Sequence, residues 1–464
     1  MRISPLPAPE ILDAATVLAR RLGSRRVITL TCDNAHADDG GAVRIESYNV
    51  SSLAIHAHPV TPDDITNFDL NGQFAEPSNF QGSVVLCRQP IDDLTNPKKF
   101  ANFLAISHRY CDALIICATD RVRSHADEGS RLLSTEGWDS DEFRNFLAAR
   151  GINLDLQGYC RDSAGPSSRA IQVGIAFKAN SKLGFPREDS LEFQEFTVSA
   201  FVPCYNEKDI IFETVDRLLQ QFDRVYIIDN WSNDGSWSEL VRRYNSNERV
   251  SLERFPDSPR DSYQWSEILQ HIDHVASHSP ARWIIRVDAD EKVDSFSNSL
   301  SVKATLFAAD RLGYDSIDFT LIDFRPTSVD STLDDLTKFE FAHRKGAMLL
   351  QRAWKNYGRP AGIATTGGHA PADSRRVFPV NMVLRHYPLR NREQAQRKIF
   401  QERLPRTIDE RARLGWHVHY DDFHPEDNFC WDPDQLIGWN SRTRSEFLLE
   451  FLFRVGPPFD SPWS

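Results

Sequence analysis

Three stretches decide the reading: TVSAFVPCYNE (197–207), RVYIIDNWSNDGS (224–236) and ARWIIRVDADEKVD (281–294). Each opens as an apolar run of strand length and closes in polar, turn-forming residues, the pattern of a buried strand running into a loop. Between the first two, DIIFETVDRLLQQF (209–222) carries apolar residues at helical spacing. Strands alternating with helices build a parallel α/β layer, and ligands of open α/β sheets bind beyond the carboxyl ends of the strands. Asn206 with Glu207, Asp229 with Asn230, and the run from Asp288 to Asp290 are therefore expected to converge where a nucleotide would sit.

Asp288-Ala289-Asp290 is a DxD. Two carboxylates two residues apart at a strand end suit one hard cation, Mg²⁺ or Mn²⁺, with a diphosphate supplying further oxygens. The same pattern also suits an acidic turn that caps a strand. Asp229 has two readings as well: an acceptor for a base or ribose, or a cap on the Ser232–Gly235 turn.

FVPCYNE, IIDNWSNDGS and WIIRVDADE together resemble the family 2 glycosyltransferases of the GT-A fold, with their VPxYNE strand, D-x-x-S-x-D-G-S loop and DxD, over residues 197–294. The resemblance implies a metal-dependent transferase that moves a sugar from a nucleotide-sugar donor to a glycan, lipid-linked or small-molecule acceptor. Inversion at the anomeric carbon and a place in glycan or cell-surface polysaccharide biosynthesis are also implied. Expected donor contacts are Pro203, Tyr205, Asn206, Glu207, Asp229, Asn230, Ser232, Asp234, Asp288, Ala289 and Asp290. Asn230 stands where Asp is more frequent, which bears on donor-base preference. Asp288, Asp290 and, closing the run NMVLRHYP, His386 are the expected ligands of Mn²⁺ or Mg²⁺. His369, after Gly367-Gly368, and Arg390 are further donor candidates, each with a structural role as the alternative. Lys398 is a weaker candidate. Asp323, ending the apolar run DSIDFTLIDF, and Glu340 are base candidates, and a solvated loop carboxylate is the alternative for each. Trp265, Trp354 and Trp416 are candidate sugar platforms or simply core residues. Glu393 with Arg397, and Glu402 with Arg406, have the i,i+4 spacing of helix-surface ion pairs.

The first half also alternates strand and helix patterns. RVITLTC (26–32), VVLC (84–87) and ALIICAT (113–119) are strand-like, and KKFANFLAISHRY (98–110) and ILDAATVLARRLG (11–23) are helix-like. DDLTNP (92–97), ATDR (118–121) and the helix-strand continuation 139–159 resemble the back half of a class I S-adenosylmethionine methyltransferase. Such enzymes turn after their first strand on glycines, which let the backbone approach the cofactor. Here that stretch reads LTCDNAHADDGG (30–41), and Glu46 is the nearest acidic candidate for the next strand end. A domain without its cofactor site is the expected reading, with an active methyltransferase half as the alternative. A nucleotide-sugar-binding protein without turnover is the non-enzymatic alternative for the whole.

The expected architecture is α/β, with a Rossmann-like methyltransferase-type domain over 1–185, a GT-A domain over 195–420 and a helical extension over 421–464. Lys and Arg number 54 against 66 Asp and Glu, so a net charge of −12 argues against a protein that coats nucleic acid. No apolar run approaches the length of a membrane-spanning helix, and the N-terminus lacks a signal-peptide pattern, which points to a cytoplasmic protein. Seven scattered cysteines with no CxxC suggest reduced thiols rather than a zinc site or disulfide frame.

Overall fold

A computed structural model describes residues 24–33, 42–49, 64–69, 80–87, 97–119, 140–154, 156–161, 170–177, 189–296, 300–311, 313–327, 341–373, 375–378, 380–415 and 420–439, together with Ala15, Thr16, Leu18, Ala19 and Leu22. The chain is mixed α/β and divides into two compact units at Gly184 and Phe185.

The first unit holds a seven-stranded sheet. Its strands are β1 (Arg26–Asp33), β2 (Ala42–Asn49), β3 (Asp64–Asp69), β4 (Ser83–Cys87), β5 (Ala113–Thr119), β6 (Leu156–Arg161) and β7 (Ala170–Phe177), in the order β3-β2-β1-β4-β5-β7-β6. Helix α1 (Pro97–His108) links β4 to β5, and α2 (Ser140–Ala148) precedes β6. Strands β1, β4 and β5 are parallel, and Ile28, Leu30, Val85, Leu114 and Ile116 bury their side chains against Phe100, Leu104 and Phe143.

The expected parallel layer fails at β2. That strand runs antiparallel to β1, with Asp33 paired to Ala42, and β3 is antiparallel to β2. Only residues 34–41 join β1 to β2, too few for the dozen or more that a parallel crossover requires. Glu46 pairs with Thr29 inside β2 rather than standing at a strand end.

The second unit holds a nine-stranded sheet. Strands β8 (Val198–Cys204), β9 (Arg224–Asp229), β10 (Val250–Arg254) and β11 (Trp283–Arg286) are mutually parallel in the order β10-β9-β8-β11. Their crossovers are helices α3 (Ile211–Gln221), α4 (Ser236–Tyr244) and α5 (Trp265–Ser277). Every residue of β8 and β11 is buried, as strands covered on both faces must be. The third quoted stretch is two strands: the chain leaves β11, turns through 287–290 and enters β12 (Glu291–Asp294) at the far edge of the sheet. Helix α6 (Val302–Arg311) leads to β13 (Ser316–Phe324), β14 (Phe341–Lys355) and β15 (Met382–His386), and β15 pairs with β12 so that His386 lies opposite Glu291. Phe201, Ile228, Leu269, Ile272, Ile284 and Trp354 share one apolar core.

Beyond residue 420 the expected helix is absent among the described residues. Pro433–Gln435 form a 3-10 turn, and Ile437–Gly438 add a short strand to β14. Pro425 and Pro433 lack the backbone N–H a continuous helix would need. The run 447–455 lies outside the described residues. Cys87, Cys111, Cys117 and Cys204 are buried, and Cys430 is partly exposed.

Candidate functional site

The ends of β8 and β9 are laced together by their own side chains. Asn206 adopts a left-handed backbone (φ +56°), which Asn tolerates, and Trp231 does so at φ +60°, rare for a bulky residue. The Asn206 N–H donates to Ser232 Oγ (2.9 Å), and the Asn233 N–H returns to Asn206 Oδ1 (2.8 Å). Asn206 Nδ2 donates to Glu402 Oε1 at 2.7 Å. Asp234 accepts from the N–H groups of Lys208 (3.0 Å) and Ser236 (2.9 Å), and Gly235 at φ +94° opens α4. Pro203 is buried within β8. Pro203, Asn206, Ser232 and Asp234, expected at the donor, thus shape the strand-end loops. Asn230 Nδ2 is likewise spent on the Phe255 carbonyl at 2.9 Å.

Asp229 differs. It is fully buried at the end of β9, and its Oδ2 accepts the Ser232 N–H at 3.0 Å and lies 3.4 Å from Arg254 Nε. Its Oδ1 has no hydrogen-bond partner among the described residues. Burial, resisted by Ser232 and Arg254, pushes the carboxyl above its ordinary range. A buried acceptor left without a partner costs about 1–3 kcal/mol, which a ligand's N–H or hydroxyl donor would recover. Beside it, Tyr205 carries the Arg406 guanidinium 4.1 Å above its ring, and Arg254 sits 4.6 and 4.8 Å from the rings of Trp231 and Trp237.

Next to these loops runs a ladder of alternating charges. Arg390 contacts Asp209 (2.6 Å) and Glu207; Lys398 Nζ bridges Glu207 (2.9 Å) and Asp290 (2.7 Å). His386 Nε2 lies 3.7 Å from Asp290 while its Nδ1 meets Asp323 at 2.6 Å, and Arg325 closes the ladder on Asp323 at 2.8 Å. Burial alone would raise the Asp290 carboxyl, but Lys398, His386 and Arg390 overcome it and hold it well below the usual range. Burial would lower the His386 imidazole, but Asp290 and Asp323 hold it well above its ordinary value.

The expected roles of three ladder residues change. Arg390 is 2% exposed and its guanidinium serves Glu207, Asp209 and the Tyr387 carbonyl, so it organises the loop rather than meeting a phosphate. Glu207 is held by Arg390 and Lys398 in the same way. Asp323 shares its carboxylate between an imidazole and a guanidinium, which suits fixing His386 rather than taking an acceptor's proton. Glu340 lies outside the described residues.

Asp288 and Asp290 point to different partners. Arg286 and Arg352 are buried, and both donate to the Gly368 carbonyl (3.0 and 3.1 Å) and to Asp288. Arg352 also pairs with the buried Glu291 at 2.7 Å. The Asp288 side chain keeps 27% of its surface exposed against 8% for Asp290, so Asp288 is the more accessible of the two carboxylates. Ala289 contributes its carbonyl, which accepts from Thr214 Oγ1 at 2.7 Å. Gly368, at φ +83°, is glycine because a Cβ would stand 3.1 Å from Arg286 Nη2. His369 beside it is pushed down to about 4 by burial and by Arg286.

The expected triad of Asp288, Asp290 and His386 does not fit a metal. Among the described residues no group of three His, Cys, Asp or Glu side chains is arranged to hold one ion. Asp290 and His386 do meet, but Asp290 already takes Lys398, and Asp288 is turned to two arginines. A dication requires carboxylate charge that no neighbouring cation has already balanced.

Residues 199–295 match the family described as Glycosyl transferase family 2. That segment spans β8 to β12 and contains Asp229 and the DxD. Among solved structures, the chain is similar to glucosyl-3-phosphoglycerate synthase from Mycobacterium tuberculosis in complex with Mn²⁺, UDP and glucosyl-3-phosphoglycerate (14% identity, TM-score 0.17, 22% of this chain and 36% of that one). It is also similar to GalNAc-T7 with UDP, GalNAc and Mn²⁺ (16%, TM-score 0.24, 41% and 44%). A third is the mannosyltransferase PcManGT from Pyrobaculum calidifontis with GDP-Man and Mn²⁺ (17%, TM-score 0.23, 50% and 69%). The chain thus spans about a third to two thirds of those proteins' lengths. No curated protein sequence matches the chain.

Several site residues were not expected from the sequence. Arg286 stands inside the quoted strand, and an arginine within an all-apolar run was the available signal for a buried ion pair. Arg352, Arg254 and Asp209 carried no such mark. Arg406 was expected to pair with Glu402 along a helix, but Arg397–Arg403 form a π-helical segment whose wider turn brings Arg397 to Glu402 (3.2 Å) and leaves Arg406 for Tyr205. Trp354 is core, Trp265 donates to the Gly367 carbonyl at 3.1 Å, and Trp416 lies outside the described residues.

Proposed function

We propose that the second unit is a GT-A transferase that moves a sugar from a nucleotide-sugar donor to an acceptor hydroxyl with inversion, in glycan or cell-surface polysaccharide synthesis. The observation that carries this reading is the partnerless oxygen of Asp229 at the end of β9, inside the segment that matches the glycosyltransferase family. A nucleobase N–H or a ribose hydroxyl is the donor that oxygen lacks. Asp288, half-buried just beyond the end of β11, is read as the residue that meets the donor's ribose. In such a transfer the bond from the anomeric carbon to the diphosphate oxygen breaks and its electron pair stays on the diphosphate, while the acceptor oxygen bonds to that carbon. Glycans, lipid-linked sugars and small hydroxylated molecules all present such an oxygen.

The first unit is read as a methyltransferase-like domain without a cofactor site. The antiparallel return of β2 onto β1 supports this, because a cofactor-binding turn leads from a first strand into a helix, whose N-terminus would face the ligand. The same observation weighs against an active methyltransferase half.

A thermal-shift panel of UDP-, GDP- and dTDP-sugars tests the proposal. One nucleotide class is expected to raise the melting temperature, by the equivalent of about 2.7 kcal/mol at a hundred times its Kd, and Asp229→Ala to abolish the shift. No response to any class would sink the reading. A response without turnover on any acceptor would leave a nucleotide-sugar-binding protein.

A further inference from the structure

The DxD sits among cations supplied by the chain itself. Lys398 Nζ is 2.7 Å from Asp290 Oδ2 and 2.9 Å from Glu207 Oε1, with Arg390 Nη1 a further 4.0 Å contact of Asp290. The Asp290, Glu207 and Lys398 side chains are each at most 8% exposed, so these charges are screened little by solvent. Along the ladder the carboxylates of Glu207, Asp209 and Asp290 meet Arg390 and Lys398, and Asp323 meets Arg325 and the His386 imidazole. The second cluster is two against two: Asp288 and Glu291 with Arg286 and Arg352. In both clusters basic side chains of the chain already meet the DxD carboxylates, and Lys398 would stand beside any ion placed on Asp290.

We propose that Lys398 is the resident cation of this site, that it supplies at Asp290 the positive charge a divalent metal would otherwise bring, and that nucleoside diphosphate binds here without metal. Lys398 reaches Asp290 from the π-helical segment 397–403, and irregular turns of this kind are frequent at functional sites. The ligand class deepens the proposed function and rests on it, whereas occupation of Asp290 by Lys398 does not.

The test separates the two. Mn²⁺ alone is titrated into the full-length protein, with free Mn²⁺ read by electron paramagnetic resonance and no nucleotide present. Wild type is expected to leave the free-ion signal unchanged at micromolar Mn²⁺, Lys398→Arg to behave alike, and Lys398→Met to bind Mn²⁺ at least about tenfold more tightly than wild type. Micromolar binding of Mn²⁺ by wild type overturns the proposal. In a second titration UDP and GDP are added in EDTA and in excess Mn²⁺. A Kd that agrees within about threefold between the two conditions supports it, and one that tightens tenfold or more with Mn²⁺ overturns it. If neither nucleotide binds in either condition, the glycosyltransferase reading fails, while the Mn²⁺ titration still decides the resident cation. Should Lys398→Met not fold, the wild-type and Lys398→Arg measurements stand on their own.

Discussion

Replacing Arg390 by Met removes a guanidinium that is 2% exposed and leaves Glu207, 5% exposed, without one of its two cations. Breaking a buried ion pair by deleting one partner costs about 3–5 kcal/mol when the surviving charge is left uncompensated, and Glu207 keeps Lys398, so the loss lies at the lower end, about 3 kcal/mol. The contact with Asp209 adds under about 1 kcal/mol, since that carboxylate is 41% exposed and screened by water. The lost hydrogen bond to the Tyr387 carbonyl adds about 1 kcal/mol. Arg390→Met is therefore expected to lose about 4–5 kcal/mol from the unfolding of the second unit, read as a lower urea midpoint in tryptophan fluorescence. Combining it with Glu207→Gln removes the carboxylate left with one cation, so the double variant is expected to be more stable than the two single losses add up to, by about 1–3 kcal/mol. Two results would refute the reasoning. One is a loss below about 1 kcal/mol, the size of a solvated pair. The other is unchanged stability with a tenfold weaker nucleoside diphosphate affinity, which would make Arg390 the donor contact expected from the sequence.

Three further outcomes are expected. Gly368→Ala forces a side chain into a left-handed backbone and against Leu269 and Arg286, and costs at least about 1–2 kcal/mol; a melting temperature within 1 °C of wild type would show that the loop yields without strain. His369 ionises at about 4 in the folded chain and near 6.5 when unfolded, so the unfolded chain binds the extra proton between those values. Stability is then lost as pH falls from 6.5 towards 4, by up to about 3 kcal/mol. Denaturant titrations of His369→Gln should lack that part of the slope, and identical slopes would exclude His369 as its source. Titrating S-adenosylmethionine to millimolar concentration into the full chain should give no saturable heat, and a saturable isotherm would restore the methyltransferase half.

Much of the second unit was legible from local pattern. Strands β8, β9 and β11 and helix α3 follow from apolar runs of strand length and a 3.6-residue period, because burial on both faces of a parallel sheet leaves that imprint on consecutive residues, whereas α4, β10 and α5 fill a stretch whose pattern reads as irregular. The strand ends, and with them Asp229 and Asp288, follow from where those runs stop. The split of 281–294 into β11 and β12 was not legible, since both pieces are short and the partner of β12 is β15, over 80 residues later in the chain. In the first unit, the direction of β2 and β3 is settled by connection length and pairing partners rather than by composition.

The sequence by itself determined the residue types at the strand ends, the α/β class and the family resemblance of the central segment, because all three are properties of neighbours in the chain. Tertiary structure alone decided which of those residues face a ligand and which face one another. Asn206, Glu207, Asp290 and Asp323 read as equivalent polar candidates until Glu402, Arg390, Lys398 and His386 arrive from 63 to 196 residues away. A carboxylate's role depends on the charge already beside it, and Coulomb energy depends on distance in space, which the order of residues along the chain does not contain.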